Sequence, residues 1–313
     1  MRPTAVVAVV IAVGAAVSAA PRMQSEKRSD FEAKIRALAT GFQGELGVFA
    51  KRLGTGEIIE WRADTRFPTA SVIKLPIMVE AFDQISRGAL TGNTPVRVRA
   101  SAKVGGSGVL GELHDGAEVT ISDLIRLMIV VSDNTATNLL LEHVGVGNVN
   151  ARMRAYQLAN TILFRPTFGQ KAEVSPELER EFGLGMSTPR DMGVLLEMIA
   201  TGRAVNQSAS KEMRAILEAQ QDTHMIPRKL PFDAREIVVA NKTGTDEEKL
   251  ADSSGVKGHV RADVGIVRSG ETTFVIAIFA RRIKDRSWMP DNAGLLAGAE
   301  ISRFVFDAFV KQP

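Results

Sequence analysis

The chain of 313 residues contains no cysteine. That excludes disulfides and a lipobox anchor, so the fold rests on core burial alone. Histidine is scarce: His114, His143, His224 and His259 are scattered without the spacing of a metal site, and neither metal nor other cofactor is expected. Neither charge sign dominates, because 39 Lys and Arg face 36 Asp and Glu for a net charge of +3. Despite a pI of 9.2, that balance is too weak for the basic field of a nucleic-acid binder. Long apolar runs are missing beyond the first residues, so no other segment is expected to span a bilayer.

Those first residues have their own pattern. Arg2 precedes an apolar run from Ala5 to Val17, and small residues Ser18, Ala19 and Ala20 lead into Pro21. Residues 1–20 therefore read as a signal peptide cleaved after Ala19 or Ala20, the run being shorter than the roughly 20 apolar residues of a spanning helix. The mature chain is expected to be exported, periplasmic or secreted, without stable membrane insertion. Roughly 290 residues then remain, enough for one large domain or two interlocked ones.

Pro21 to Arg28 reads as a polar tether. Phe31, Ile35, Leu38 and Phe42 follow at helical spacing after Ser29 or Asp30 as cap. Strands are expected at Glu45 to Lys51 and Glu57 to Arg62 around the turn Gly54-Thr55-Gly56. From Ser71 to about Gly202 the pattern is helical; strands return at Ile237 to Asn241, Ala262 to Val267 and Thr273 to Ala280, and Leu295 to Val310 reads as a closing helix. The expected class is α+β, an α/α-β sandwich: an antiparallel sheet flanked by terminal helices, with an inserted all-helical subdomain. Residues 29–66 and 218–313 would form the α/β subdomain and residues 67–217 the all-α one, with the site in the cleft between them.

Three short strings carry the chemistry. Ser-x-x-Lys occurs at Ser71/Lys74, Ser208/Lys211 and Ser254/Lys257, so alone it means little. Ser132-Asp133-Asn134 and Lys242-Thr243-Gly244 each occur once, and all three in this order arise by chance in about one unrelated chain in 100 to 1,000. Ser71 and Lys74 share a helix face, so the amine is a candidate base for the hydroxyl, and free N–H groups at the helix start favour an oxyanion. Ser132 is placed to relay a proton to a leaving nitrogen, Asn134 to hold a substrate amide, and Asp133 to cap the next helix. Lys242, Thr243 and Thr245 suit a substrate carboxylate, and Gly244 would let substrate lie close to the strand, with the Thr245 N–H facing the oxyanion.

Together these strings resemble the active-site set of class A serine β-lactamases and the related penicillin-binding proteins. Further likeness lies in Gly106-Ser107-Gly108-Val109-Leu110, Leu113-His114-Asp115-Gly116, Leu127 to Asn134 and Ser187-Thr188-Pro189-Arg190-Asp191, in the family's order from about Ser29 to the end. The resemblance implies a two-part fold, an acyl-enzyme on Ser71 and an oxyanion hole from the N–H groups of Ser71 and Thr245.

One departure stands out. The family carries a water-activating glutamate on the loop before the Ser-Thr-Pro segment. Counting forward from Arg165 puts Thr167 there; matching Pro176-Glu177-Leu178 puts Ser175 there and Glu179 in place of an asparagine; counting back from Pro189 lands next to Glu173. Glu173 is taken as the deacylation base, with Glu177 and Glu179 as rivals. Arg261 is the candidate for a substrate carboxylate against a solvated strand-end arginine, and the family's cleft-mouth tyrosine has no counterpart beside Gly105 to Leu110. The resemblance implies a monomeric serine β-lactamase acting on a small β-lactam through Ser71. The alternatives are a hydrolase or DD-peptidase of the same fold acting on peptidoglycan-like substrates, and a slowly deacylating penicillin-binding protein.

Overall fold

The computed structural model describes residues 25–169, 174–233 and 236–310. The expected signal peptide, residues 1–20, and Glu173 lie outside the described residues. In chain order the elements are α1 (Ser25–Gly41), β1 (Glu45–Arg52), β2 (Ile58–Trp61), β3 (Phe67–Pro68), a 3-10 turn (Ala70–Ile73) and α2 (Lys74–Ser86). Next come β4 (Pro95–Arg97), β5 (Glu118–Thr120), α3 (Ile121–Val130), α4 (Asn134–Val144), α5 (Val146–Ala155), β6 (Ile162–Leu163), α6 (Pro176–Phe182), β7 (Gly185–Ser187), α7 (Pro189–Ala200) and α8 (Gln207–Glu218). The chain ends with β8 (Ile237–Ala251), β9 (Lys257–Ser269), β10 (Thr272–Ile283) and α9 (Ala293–Phe309).

The main sheet has the order β2-β1-β10-β9-β8 and is antiparallel throughout. Its central strand explains the layering. Along β10, Phe274, Ile276, Ile278 and Ala280 pack with Ile301, Val305 and Phe306 of α9 and with Phe31 and Ile35 of α1. The alternate residues Val275, Ala277 and Phe279 point the other way, into a core shared with Ile77, Leu124, Leu140 and Leu195 of the helical section. Period-two alternation thus feeds two apolar cores, and β10 reads as a continuous hydrophobic run because both of its faces are covered.

Two boundaries differ from the sequence reading. Helix α1 begins at Ser25, inside the expected tether, so Ser29 and Asp30 lie within it rather than at its cap. Strand β8 does not stop at Asn241: pairing with β9 continues from Lys242↔Val264 to Glu247↔His259, so Lys242-Thr243-Gly244-Thr245 lies inside a strand. Apolar alternation ends at Asn241, but the backbone ladder does not.

Phe306 is 1% exposed and meets Phe274 edge-on at 6.4 Å, joining α9 to the sheet. Phe306→Ala should lower the unfolding free energy by about 3–5 kcal/mol. Urea denaturation with an unchanged m-value would check it.

Candidate active site

The Ser71 turn is built against its own conformational preference. Ala70 has φ of +43°, a left-handed conformation that a Cβ-bearing residue adopts at a cost. The turn is fixed on both sides: the Thr69 N–H donates to Gly185 O at 2.9 Å, and the Val72 N–H to Thr69 O at 3.0 Å. In this 3-10 turn residues three apart eclipse, which sets Ser71 and Lys74 on one side. Pro76 sits in the first turn of α2, where its missing N–H leaves no carbonyl without a partner.

Gly244 has a different task from the one its sequence suggests. A Cβ there would lie 2.6 Å from Thr69 O and 3.2 Å from Val72 N, so the glycine lets β8 press against the Ser71 turn rather than making room for a ligand. β8 is the edge strand of the sheet, and its Thr243 and Thr245 face the cleft.

Two buried lysines meet on Ser132. Lys74 Nζ donates to Ser132 O at 2.7 Å and to Asn134 Oδ1 at 2.8 Å, and lies 3.2 Å from Ser132 Oγ. Lys242 Nζ donates to Ser132 Oγ at 3.1 Å and to Thr243 O at 2.7 Å. Both lysines are fully buried. Burial, and then the nearby charge of Lys242, hold the Lys74 amine well below its ordinary range, against a smaller opposing pull from Asp133. Burial lowers Lys242 to about 8, opposed by Asp263 and Asp222. With two N–H bonds given to oxygens, a neutral Lys74 keeps a lone pair for the Ser132 hydroxyl. Among the described residues no hydrogen bond joins Ser71 to Lys74.

Ser132 has φ of +56°, strained like Ala70. The break between α3 and α4 holds it there. Asp133 caps α4 through Ala136 N at 2.8 Å, and its other oxygen accepts from Val109 N and Leu110 N, both at 2.7 Å. Asn134 Nδ2 donates to Gly105 O at 3.0 Å. Gly108 is required beside this clamp, since its φ is +119° and a Cβ would stand 2.3 Å from the Asp133 carboxyl carbon.

The loop from Arg165 to α6 is closed by a pair between Arg165 Nε and Glu179 Oε1 at 2.9 Å. Thr167 is buried, and its N–H and hydroxyl donate to Asn138 Oδ1 at 2.9 and 2.7 Å. Asn138 Nδ2 returns a bond to Thr167 O at 2.9 Å. Glu179 is thus engaged by Arg165, and Glu177 is exposed on α6.

Arg261 is neither a solvated strand-end residue nor an open ligand. It is 1% exposed and donates to Val260 O at 2.8 Å and Ser287 O at 2.7 Å. Its Cζ lies 5.1 Å from the Trp288 ring centroid.

The cleft measures about 380 Å³ and is walled by Ser71, Ser132, Thr243 and Thr245 from among the sequence candidates. Lys74, Asn134, Lys242 and Gly244 stand behind that wall. Gln220, Gln221, Asp222 and His224 line the cleft as well, and sequence reasoning missed them: a polar run between a helix and a strand carries no motif.

A sheet with terminal helices on one face and a helical section on the other, with a serine-lysine cleft between, defines a class of serine hydrolase. A sequence profile described as the beta-lactamase enzyme family matches residues 30–309, and the chain belongs to that family. It is similar to the carbapenem-hydrolyzing beta-lactamase KPC of Klebsiella oxytoca, 27% identical over 248 residues, 78% of each chain. Beta-lactamase L2 of Stenotrophomonas maltophilia is 30% identical over 182 residues, 57% of each chain. Among solved structures, the beta-lactamase from Sphaerobacter thermophilus DSM 20745 superposes with a TM-score of 0.75 at 32% identity, covering 91% of this chain and 99% of that one.

Gly244→Ala should destabilise the protein by about 1–3 kcal/mol, because a methyl group at that spacing forces strand and turn apart. Thermal unfolding of the purified variant, compared with a Gly147→Ala control whose position has open space around it and no left-handed φ, would check it.

Proposed function

We propose that the chain hydrolyses β-lactams through an ester on Ser71, in a cleft between a part formed by residues 29–66 with 218–313 and a part formed by 67–217. The observation that carries this reading is the Ser132 hydroxyl held at 3.2 Å from Lys74 and 3.1 Å from Lys242 beside Ser71. Lys74, its amine lowered well below the ordinary lysine range by burial and by Lys242, takes the Ser71 proton as the hydroxyl adds to the lactam carbonyl. The N–H groups of Ser71 and Thr245 receive the oxyanion. When the C–N bond breaks, Ser132 gives its proton to the nitrogen and is resupplied from Lys74. Lys242, Thr243 and Thr245 hold the substrate carboxylate, and Gly244 keeps their strand against the turn. Asn134 aims Lys74 and, by exchanging its bond to Gly105, takes a substrate amide.

Release of the acyl group needs a water-activating base, which we assign to Glu173. We also assign residues 1–20 to a cleaved signal, with export to the periplasm or beyond and a monomeric mature chain. Among the described residues no helix is long and apolar enough to cross a membrane.

A second reading is favoured by Thr167, which fills the register after Arg165 with a hydroxyl already bonded to Asn138. With a carboxylate absent there, acylation would outrun deacylation and the chain would act as a penicillin-binding protein. Intact mass spectrometry after mixing with benzylpenicillin separates the two. Hydrolysis with a transient adduct, lost in Ser71→Ala and converted by Glu173→Gln to a stable adduct, is expected. A stable adduct on the unmodified protein would establish the second reading, and neither adduct nor product would point to a peptidase or esterase of this fold.

The pH profile follows from Lys242. Its charge is present below about 8 and lost as the pH rises through that value, so the hold on a substrate carboxylate weakens in the same direction. The second-order rate constant for acylation should fall above about pH 8, and Lys242→Arg should carry that limb to higher pH. An alkaline limb that does not move in the arginine variant would assign it to another group.

A further inference from the structure

The wall of the cleft next to Lys242, Thr243 and Thr245 carries a negative charge that the acyl-transfer chemistry does not use. The loop Gln220-Gln221-Asp222 is pinned to the end of α3: Gln220 Nε2 donates to Ile129 O at 3.0 Å, and the Gln221 N–H to Val130 O at 3.2 Å. Gln220 Oε1 in turn accepts from the Asp222 N–H at 3.1 Å. Asp222 is therefore placed by the segment that leads into Ser132.

Its carboxylate is oriented as well as placed. Asp222 Oδ1 accepts from the His224 N–H at 3.1 Å and lies 2.8 Å from His224 Nδ1. Oδ2 accepts no hydrogen bond among the described residues. The two side chains are 36% and 48% exposed, and both line the cleft. Asp222 acts electrostatically on Lys242, on Arg261 and on the buried Asp263, so its field reaches the place where a substrate carboxylate would sit. Arg261, the other cation of that end, is 1% exposed, bonded to Val260 O and Ser287 O, and roofed by Trp288. A ligand anion bound near Lys242 is consequently in the same cleft as the Asp222 carboxylate, and like charges repel.

We propose that Asp222, oriented by His224, is a specificity-determining residue that makes this end of the cleft prefer substrates bearing a cationic group beside their carboxylate. The inference rests on the acyl-transfer reading of Ser71. The ligand class is a zwitterionic leaving side: the carboxylate on Lys242, Thr243 and Thr245, and an ammonium or quaternary nitrogen within reach of Asp222 Oδ2. A substrate with the carboxylate alone binds there against the Asp222 charge.

The test uses two cephalosporins that share one acyl side chain and differ at C3, where one carries an uncharged acetoxymethyl group and the other a cationic pyridiniummethyl group. Second-order acylation rates are read by intact mass at low salt. The unmodified protein should favour the cationic compound. In Asp222→Asn the cationic compound should slow and the uncharged one should speed up, lowering the cationic-to-neutral ratio by about threefold to tenfold, with a smaller change at high salt. Asp222→Glu, which keeps the charge, should restore most of the ratio. An unchanged ratio, or both rates falling together, would overturn the assignment while leaving acyl transfer intact. Failure of both compounds to acylate the unmodified protein would overturn the acyl-transfer reading itself.

Discussion

The site depends on two lysine side chains buried side by side around one serine hydroxyl. Burying a single ammonium is costly, and burying two in contact with a common partner is worse unless at least one is neutral. The surroundings meet that constraint by supplying acceptors rather than counter-charges to Lys74: the Ser132 carbonyl at 2.7 Å and the Asn134 amide oxygen at 2.8 Å. A carboxylate in direct contact would have kept the amine protonated and spoiled it as a base. Asp133 is nearby, but its oxygens are occupied by the N–H groups of Ala136, Val109 and Leu110. Burial thus lowers the Lys74 amine, and the helix break between α3 and α4 supplies its neutral acceptors.

Holding this pair requires the sheet and the helical section to approach within backbone contact. Gly244 permits it, and the left-handed Ala70 and Ser132 lie beside that contact. Ala70 and Ser132 are two of several left-handed non-glycine residues, the others being Arg62, Gln157, Phe168, Ser175 and Arg282 among the described residues, while β10 alternates between two cores along most of its length. The strain at Ala70 and Ser132 persists because the packing and hydrogen bonds around each over-determine its geometry.

The sequence disclosed those parts in which side-chain type and spacing alone decide the outcome. Apolar alternation at Thr273 to Ala280 located β10, helical spacing located α1 and α9, and the three motifs named the residues that meet at the cleft. It was silent where tertiary contact decides. β8 runs ten residues past Asn241 because β9 supplies ladder partners, although its residues there are polar and read as a turn. The real work of Gly244 is a contact with Thr69, 175 positions away, which no local pattern encodes. Gln220 to His224 looked like any polar loop, and only the folded cleft gives Asp222 a face.

The two halves of an acyl-transfer cycle sit on different elements here, and that separation has a physical consequence. The groups that would make the ester come from the turn at Ser71, the break at Ser132 and the edge of β8, all locked by backbone bonds and by buried lysines. The groups that would break it belong to the loop closed by Arg165 and Glu179, which joins the rest through Thr167 and Asn138. Exchanging a carboxylate for a hydroxyl at Thr167 leaves that attachment satisfied, because Asn138 takes both the N–H and the hydroxyl. The Thr167 hydroxyl also lies 3.2 Å from Asn134 O, and the Asn134 side chain accepts from Lys74, so the loop and the lysine pair are joined at Asn134.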